Sequence, residues 1–347
     1  MKVTTRTAAA LLLTCMTCAR AAVAQMPRDA RGAQAERAEI QAQRRAARLG
    51  RAGAAEITDS LSRTVRIAPG GTFEVDNIAG DISISGAAGS DARIDAVKRV
   101  RDLNDARARA ALAGIRIEIA ERGGNVEVRT IQPRVPLGIR AVDYVVTVPT
   151  GSNVIVRNGA GNVRVQNVSG EVRAENTNGA MTAAAVKNIR SLKSLRGNIE
   201  VSDSEADEFN VSTLSGNIVI RKLKGRLIDL QTITGNVQLL DVATQRAVLQ
   251  SMAGDLEYAG LLAPSGRYQF QTHEGNIRVI PSGTPGFDLD AMTFSGALRS
   301  DFVLKMLRRQ ANGPRPRAER TLRGTFGDAG AVLTASSFSG NIVITKP

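Results

Sequence analysis

Short runs of alternating apolar and polar residues recur along most of the chain, and the most regular of these runs follow a glycine. From Gly161 onward the glycine is generally followed by Asn, Asp or Ala and then by alternating residues, as in Gly216-Asn-Ile-Val-Ile. The glycines that open these units are Gly161, Gly179, Gly197, Gly216, Gly235, Gly254, Gly275, Gly296 and Gly340. Their spacings are 18, 18, 19, 19, 19, 21, 21 and 44 residues, so one structural unit repeats along the chain.

A second, weaker run of alternating residues stands about nine or ten positions after the first, as in Tyr268-Gln-Phe and Phe287-Asp-Leu. Alternation with a period of two is typical of β-strands. Two short strands cannot enclose a core alone, but stacked units bury their apolar positions between neighbouring turns. The pattern therefore predicts an all-β protein, a parallel β-solenoid (β-helix) with two short strands in each turn of 18–21 residues.

The residues around each glycine have predictable roles at a corner of the solenoid. Glycine permits a positive φ there, and the Asn or Asp that follows is able to hydrogen-bond the backbone of a neighbouring turn. A hydroxyl side chain stands three residues before most of the glycines: Ser194, Thr213, Thr232, Ser251, Thr272, Thr293 and Ser337. We expect these hydroxyls to hydrogen-bond along the solenoid axis, in a structural rather than a catalytic role.

The position two residues before each glycine is mostly apolar and is the candidate binding site. This column, here called the ridge, comprises Leu195, Leu214, Ile233, Met252, His273, Phe294 and Phe338. If Thr213 faces inward, strict alternation directs Leu214 and its equivalents outward, where a continuous apolar ridge would bind a partner. A bend at the glycine would instead direct these side chains into the core. The sequence leaves both interpretations open.

The flanking segments differ from the regular array. Residues 61–150 carry looser strands, interrupted by an Ala- and Arg-rich helix predicted over 105–113. These strands are predicted to be either the first turns of the solenoid or a small β layer that covers its open end. Residues 25–60 are also rich in Ala and Arg and are predicted to be an arm, helical or disordered. Residues 151–347 form the regular solenoid, and a basic hairpin is inserted near 299–326.

Residues 1–24 have the features of a signal peptide: two basic residues, a short apolar run and the motif Ala22-Val-Ala24. We expect cleavage after Ala24 and export to the periplasm or the cell surface. The apolar run is too short to span a bilayer, and no later stretch is long enough. Both cysteines, Cys15 and Cys18, lie within this segment, so a mature chain would have no thiol chemistry.

Composition and charge narrow the choice of partner. Aromatic residues make up only 3% of the chain and Trp is absent, so sites that stack on sugar rings or bases are hard to build. A net charge of +13 is compatible with nucleic-acid binding. However, residues 25–56 and 299–323 hold most of the excess of basic over acidic residues, and the remainder of the predicted mature chain is nearly neutral. We expect no nucleic-acid binding. The basic segments are predicted to be solvated or to contact an anionic envelope surface.

Three features together resemble a known family: Tyr144-Val-Val-Thr-Val-Pro149, the repeated glycine units, and the closing Ser339-Gly-Asn-Ile-Val-Ile-Thr345. Over residues 64–347 the chain resembles exported bacterial proteins with β-strand repeats, often labelled "putative adhesins". The resemblance implies a β-solenoid outside the cytoplasm. The resemblance identifies no catalytic residues in this sequence.

No nucleophile elbow, Walker loop, zinc-protease or dinucleotide motif is present in the sequence. The predicted function is a non-catalytic, adhesin-like binding or structural protein of the cell envelope, without cofactor or metal. Its partner would be an envelope or surface protein, a glycan, or a second copy of the chain. Two alternatives remain: an envelope accessory or sensor protein, and a polysaccharide-active enzyme that uses outward carboxylates such as Glu200 and Asp203. The acidic stretch Glu200 to Glu208 is either a solvated corner or a cation site.

Overall fold

The computed structural model describes residues 55–102, 104–132, 139–283, 286–306 and 320–347. The predicted signal peptide and residues 25–54 of the predicted arm lie outside these ranges. Within them the chain is nearly all β, with one helix, α1 (Asp105–Gly114). The strands of the first half are β1 (Ala55–Arg66), β2 (Thr72–Asn77), β3 (Ile82–Ala87), β4 (Asp91–Asp102), β5 (Arg116–Arg122), β6 (Asn125–Ile131), β7 (Ile139–Pro149), β8 (Asn153–Ala160), β9 (Val163–Gln166), β10 (Glu171–Asn178), β11 (Met181–Ala184) and β12 (Asn188–Arg196). The strands of the second half are β13 (Ile199–Ser215), β14 (Ile218–Thr234), β15 (Val237–Ala253), β16 (Leu256–Glu274), β17 (Ile277–Ser282), β18 (Phe287–Ser295), β19 (Leu298–Ser300), β20 (Lys305–Met306), β21 (Arg320–Phe326), β22 (Ala331–Ser339) and β23 (Ile342–Ile344).

Successive turns stack in parallel, as in a solenoid. Strand β14 pairs with β15 in parallel along nearly its whole length, from Ile218 opposite Val237 to Thr234 opposite Ala253. In β13 to β16 one strand of 17 or 19 residues runs through a whole turn, whereas the outer turns have two separate strands. The long strands bend at residues such as Lys222, which has a φ of 52°. Two short strands per turn therefore describe the outer turns, while hydrogen bonding continues around the bend in the central ones.

The core lies between the faces of each turn and runs the length of the stack. Strand β14 is representative, because its inward positions are occupied by aliphatic side chains with no exposed surface. These side chains are Ile218, Ile220, Ile228 and Leu230, and the hydroxyl residue Thr232 is also buried beside them. Removing such side chains from water is the main source of stability for the stack.

The corner glycines are required by close backbone contact as well as by backbone angle. Gly235 has a φ of 145°, and a Cβ built on it would lie 2.1 Å from the carbonyl oxygen of Gly216. Beside it, the backbone N–H of Asn236 donates to Oδ1 of Asn217 at 2.9 Å, and the same contact recurs from turn to turn. The predicted roles of Gly and Asn at the corners are confirmed.

The hydroxyl column faces inward but bonds differently from the simplest expectation. Oγ1 of Thr272 donates to the carbonyl oxygen of Gly254 at 3.1 Å, and Oγ of Ser337 donates to that of Gly275 at 3.0 Å. Most hydroxyls of the column thus bind a corner carbonyl of the adjacent turn rather than one another. Those of Ser194 and Thr213 are buried without a hydrogen-bond partner among the described residues. In an earlier turn an amide takes this place, because Nδ2 of Asn176 donates to the carbonyl oxygen of Gly161 at 2.9 Å.

The order of turns in space differs from their order in the chain at both ends. Strand β22 pairs in parallel with β16 on one side and with β18 on the other, so the last turn lies between two earlier ones. At the other end, β2 lies between β6 and β8, and β3 lies between β7 and β9. Between these ends the turns follow chain order.

Antiparallel strands cover the N-terminal end of the stack. Strand β4 pairs with β1 and β7, and β5 pairs with β6. Helix α1 lies where the sequence predicted a helix and packs against β1 and β4, with Ala108 and Ala111 buried. Strand β1 begins at Ala55, inside the segment predicted to be an arm, because Ile57 and Leu61 pack against the core.

The C-terminal end is covered by β21, which pairs antiparallel with β18 and β20. This arrangement is consistent with the hairpin predicted near 299–326, although residues 307–319 lie outside the described residues. The rings of Phe287, Phe302 and Phe326 pack together there, with centroids 4.7 to 5.5 Å apart. Within the described ranges, no helix has the length and hydropathy needed to cross a membrane.

Candidate binding groove

The ridge faces solvent. Leu214 is 41% exposed and Met252 is 56% exposed, whereas Thr213, which precedes Leu214, is 5% exposed. All seven ridge residues are exposed. The strands keep strict alternation through the ridge residue, and alternation breaks only at the residue after it, such as Ser215, which is also exposed. The bend therefore comes too late to turn the ridge side chains inward. The structure thus decides between the two interpretations in favour of an outward ridge.

The spatial order of the ridge follows the stacking of the turns: Leu195, Leu214, Ile233, Met252, His273, Phe338 and Phe294. The rings of His273 and Phe338 are stacked, with centroids 4.7 Å apart, and those of Phe338 and Phe294 are stacked at 4.9 Å. Because each ring covers the face of its neighbour, the ring edges point away from the backbone. The low aromatic content therefore still builds a cluster, one better suited to apolar contact than to stacking on sugars.

A groove of about 920 Å³ runs beside the ridge. Its second wall is another outward column, four residues before each corner glycine: Ser212, Gln231, Gln250, Gln271, Ser336 and Met292. The backbone of the hydroxyl column, whose side chains face inward, lies between the two walls and forms the floor. The second wall was not predicted from the sequence, although its signal was present as a repeated column of Ser and Gln.

The groove continues toward the N-terminal end with a different character. There a second concavity of about 560 Å³ is lined by Asp76, Arg157, Glu175 and Lys193 on one wall and by Ile78, Gly159, Thr177 and Leu195 in the ridge column. Nζ of Lys193 lies 3.6 Å from Oε1 of Glu175, and Arg157 pairs with Glu74. The hydrogen bond to Glu74 raises the pKa of Arg157. Charges of alternating sign therefore line this end.

A sequence model described as Toastrack DUF4097 matches residues 69–345, which is most of the chain. The chain belongs to the Toastrack DUF4097 family. No curated protein sequence matches it. The family assignment agrees with the stack of parallel turns. The family description states no ligand, so the surfaces of this Toastrack chain are the guide to its function.

Solved structures with low sequence identity show further likenesses. A "putative adhesin" from Parabacteroides distasonis is 10% identical, and the match covers 83% of this chain and 97% of that chain with a TM-score of 0.41. A "putative adhesin" from Bacteroides fragilis is 12% identical, with coverages of 83% and 97% and a TM-score of 0.37. A "putative cell adhesion protein" from Clostridium sporogenes is 11% identical, with coverages of 83% and 100% and a TM-score of 0.22.

The acidic stretch of this Toastrack chain is neutralised by basic side chains of adjacent turns. Oε1 of Glu200 lies 2.7 Å from Arg221, and Oδ1 of Asp203 lies 3.4 Å from Lys222. Arg226 binds Asp207 and holds the pKa of that carboxyl below its usual range. Among the described residues, no group of three or more His, Cys, Asp or Glu side chains is arranged to hold a metal ion. The contacts favour a solvated, ion-paired corner over a cation site.

The groove is built for contact rather than for proton transfer. Beyond its charged N-terminal end the groove presents apolar side chains, hydroxyls and amides, and the one titratable residue of the described ranges that lines this part is His273, whose ring stacks on Phe338. General acid and base catalysis needs a titratable group paired with a second polar partner at the reacting atoms. This part of the groove supplies shape, apolar contact and hydrogen bonds, which are the means of recognition.

Proposed function

We propose that this Toastrack chain is a non-catalytic, exported, adhesin-like binding protein of the bacterial cell envelope, and that the ridge and groove are its contact surface. The observation that carries the proposal is the exposed ridge: seven side chains from adjacent turns that extend over about 29 Å at the usual strand spacing. A continuous exposed apolar surface of this kind usually marks a contact site.

The ridge is not needed to hold the turns together. Inward residues such as Ile218 and Leu230 supply the core, and backbone hydrogen bonds join the turns on both sides of each corner. Outward positions elsewhere in a soluble β-solenoid are free to be polar, and most outward positions of this chain are. An aligned column of exposed apolar side chains is therefore better explained by a role in binding than by a role in folding.

The proposed location follows from the sequence. The predicted signal peptide leads to the periplasm or the cell surface, where the basic segments 25–56 and 299–323 would contact anionic envelope surfaces. An envelope protein, a glycan or a second copy of the chain remain the candidate classes of partner for an adhesin, and a resident envelope protein is the candidate for an accessory or sensor role.

The polysaccharide-active enzyme is the less favoured function. Its candidate carboxylates, Glu200 and Asp203, are ion-paired with Arg221 and Lys222 and do not line the groove. A glycosidase needs two carboxyl groups on opposite sides of the bond to be cleaved. Release of reducing ends from envelope polysaccharides by the purified chain, lost in the Glu200→Gln variant, would establish the enzyme instead.

Sedimentation with envelope fragments from the producing bacterium tests the binding proposal. We expect the wild-type chain to sediment with the fragments and the Leu214→Ser/Ile233→Ser variant to remain in the supernatant. Leu261→Ser is the matched control, because Leu261 is 51% exposed and lies outside the groove. Equal sedimentation of all three proteins, or of none, would refute the role of the ridge.

Protease treatment of the fragments distinguishes the partner. Loss of wild-type binding after treatment indicates a resident protein, as an accessory or sensor role requires. Retained binding indicates a glycan or lipid component of the envelope.

A further inference from the structure

We infer that the groove binds a single-chain zwitterionic amphiphile, with its hydrocarbon chain along the ridge from Leu195 toward Phe294 and its headgroup against Glu175 and Lys193. This inference rests on the proposed function and adds an amphiphile to its candidate classes of partner. It is carried by three properties of the groove: its width, its length and the change in polarity along it.

The width favours a thin, flexible chain. The two walls come from residues two positions apart on the same strand, such as Ser212 and Leu214, so the Cα atoms of the two columns are only about 7 Å apart. An α-helix has a diameter of about 10 Å with its side chains and cannot enter a groove of this width. A hydrocarbon chain is thinner than a helix and lies lengthwise along the mouth of the groove, in contact with the ridge side chains.

An extended peptide is a poorer fit. Its backbone presents a donor and an acceptor at every residue, and one wall of the groove is apolar. Side chains on one face of an extended peptide repeat at about 6.8 Å, whereas the turns repeat at about 4.8 Å, so contacts made with Gln231 would not recur at Gln250. A hydrocarbon chain has no polar groups to satisfy and needs no matching repeat.

The polarity changes from one end of the groove to the other. At the N-terminal end Asp76, Arg157, Glu175 and Lys193 present charges of alternating sign. At the far end the second wall ends in Met292, opposite Phe294, and among the described residues no Asp, Glu, Lys or Arg side chain lines the groove there. A ligand with complementary chemistry has both charges at one end and none along its length. This is the chemistry of a zwitterionic head on a hydrocarbon chain.

The length accommodates a complete lipid chain. From Leu195 to Phe294 the ridge extends about 29 Å at the usual strand spacing. One leaflet of a bilayer core is about 15 Å thick, so an ordinary lipid chain ends before the ridge does. The groove therefore holds one monomer lengthwise, and each methylene added to a short chain gains further apolar contact.

Titration with lysophosphatidylcholines of 8, 10, 12 and 14 carbons, each kept below its micelle concentration, tests the inference with the purified chain. We expect affinity to rise about two- to four-fold per methylene, because a fully buried methylene contributes about four-fold and the groove is open on one side. Ile233→Ser should weaken binding of the 12-carbon ligand about five-fold. Leu261→Ser should leave it unchanged. Affinity that is independent of chain length would overturn the inference.

The headgroup contact has its own test. Wild-type protein should bind a 12-carbon chain with a phosphocholine head more tightly than the same chain with an uncharged maltose head. The Glu175→Gln/Lys193→Gln variant removes both charges and should lose this preference while retaining chain-length dependence. A preference that survives in the variant would exclude the proposed headgroup site.

Methionine methyl resonances report the position and direction of the ligand. Met252 and Met292 line the groove, whereas Met181 is buried in the core. We expect the 12-carbon ligand to shift the Met252 signal and to leave that of Met181 in place. A spin label on the headgroup should broaden Met252 more than Met292. Stronger broadening of Met292 would mean that the ligand lies in the opposite direction, contrary to the inference.

The combined outcomes separate the inference from the proposed function. If the ridge variant loses envelope sedimentation but no monomeric amphiphile binds, the ridge is a contact surface and the ligand class is wrong. Binding to phosphatidylcholine vesicles without binding to monomers, or displacement of the 12-carbon ligand by an extended apolar peptide, also overturns the inference. If envelope sedimentation is insensitive to the ridge and no amphiphile binds, both proposals fail.

Discussion

The ring of Phe338 lies parallel to the ring of Phe294, with centroids 4.9 Å apart, although 44 positions separate the two residues in the chain. The contact arises because β22 is inserted between β16 and β18. The last turn of the chain is therefore an interior turn of the stack. Its core residues should contribute to stability as residues of the central turns do.

Leu333 tests this conclusion. It has no exposed surface, and its neighbours lie on both sides, in β16 and β18. We expect Leu333→Ala to reduce the free energy of unfolding by about 2 to 5 kcal/mol, as truncation of a core leucine does. Val332, the adjacent residue, is 44% exposed, and Val332→Ala should cost less than about 1 kcal/mol. Urea denaturation measures both, and a small loss for Leu333→Ala would indicate a loosely packed terminal turn.

The repeat predicted the turns but not their order. Glycine spacing and alternation fix where a strand bends and which face it buries, because both depend on local residues such as Gly235 and Ile218. Which turn pairs with which depends on backbone hydrogen bonds, and these are alike in every turn. The 44-residue interval before Gly340 indicated an irregularity, yet nothing in it specified that β22 would lie between two earlier turns.

The candidate site was predicted in part. The ridge residues were identified by their column, but the side they face depends on whether the bend precedes or follows them, and the sequence does not carry this information for Leu214. The second wall was missed because Gln231 and Gln250 are ordinary exposed residues when taken singly. They become a wall only when the stacking aligns them beside the ridge.

The hydroxyl column provides a matched pair of substitutions. Oγ1 of Thr272 donates to Gly254, whereas Oγ1 of Thr213 is buried without a hydrogen-bond partner among the described residues. Thr272→Val should therefore cost about 1 kcal/mol of stability, the usual contribution of a hydrogen bond. Thr213→Val should be neutral or stabilising, because it removes an unsatisfied buried hydroxyl.

Thermal or urea unfolding of the two variants checks this prediction. Valine has nearly the shape of threonine, so packing changes little in either case. Equal losses at both positions would show that the hydroxyl bonds of the column do not determine its stability.

Alkaline pH should destabilise the protein through its buried tyrosines. Burial raises the pKa of Tyr144 to about 12, and its hydroxyl lies 2.7 Å from Oγ1 of Thr130. Because the ordinary pKa of tyrosine is about 10, the folded state retains a proton that the unfolded state loses. The stabilisation is complete below pH 10 and is lost as the pH rises toward 12, by up to about 2 to 3 kcal/mol.

The Tyr144→Phe variant isolates this effect. It should lose about 1 kcal/mol at neutral pH with the hydrogen bond to Thr130. Its stability should then fall less steeply than that of the wild type between pH 10 and 12. Tyr258 and Tyr268, whose pKa values burial also raises, should retain part of the slope. Unfolding by urea at several pH values measures the slopes, and identical slopes would contradict the assignment.

Leu214 and Leu230 allow the ridge to be compared with the core, because they lie on the paired strands β13 and β14. Leu214 is 41% exposed at the groove, and Leu230 has no exposed surface. We expect Leu214→Ser to lower the free energy of unfolding by about 1 kcal/mol, since much of the side chain already contacts water. Leu230→Ser should cost about 3 to 5 kcal/mol, because it leaves a cavity and buries a hydroxyl. Calorimetry of the two variants checks the difference, and a comparable large loss at Leu214 would mean that the ridge is part of the core and that the partner binds elsewhere.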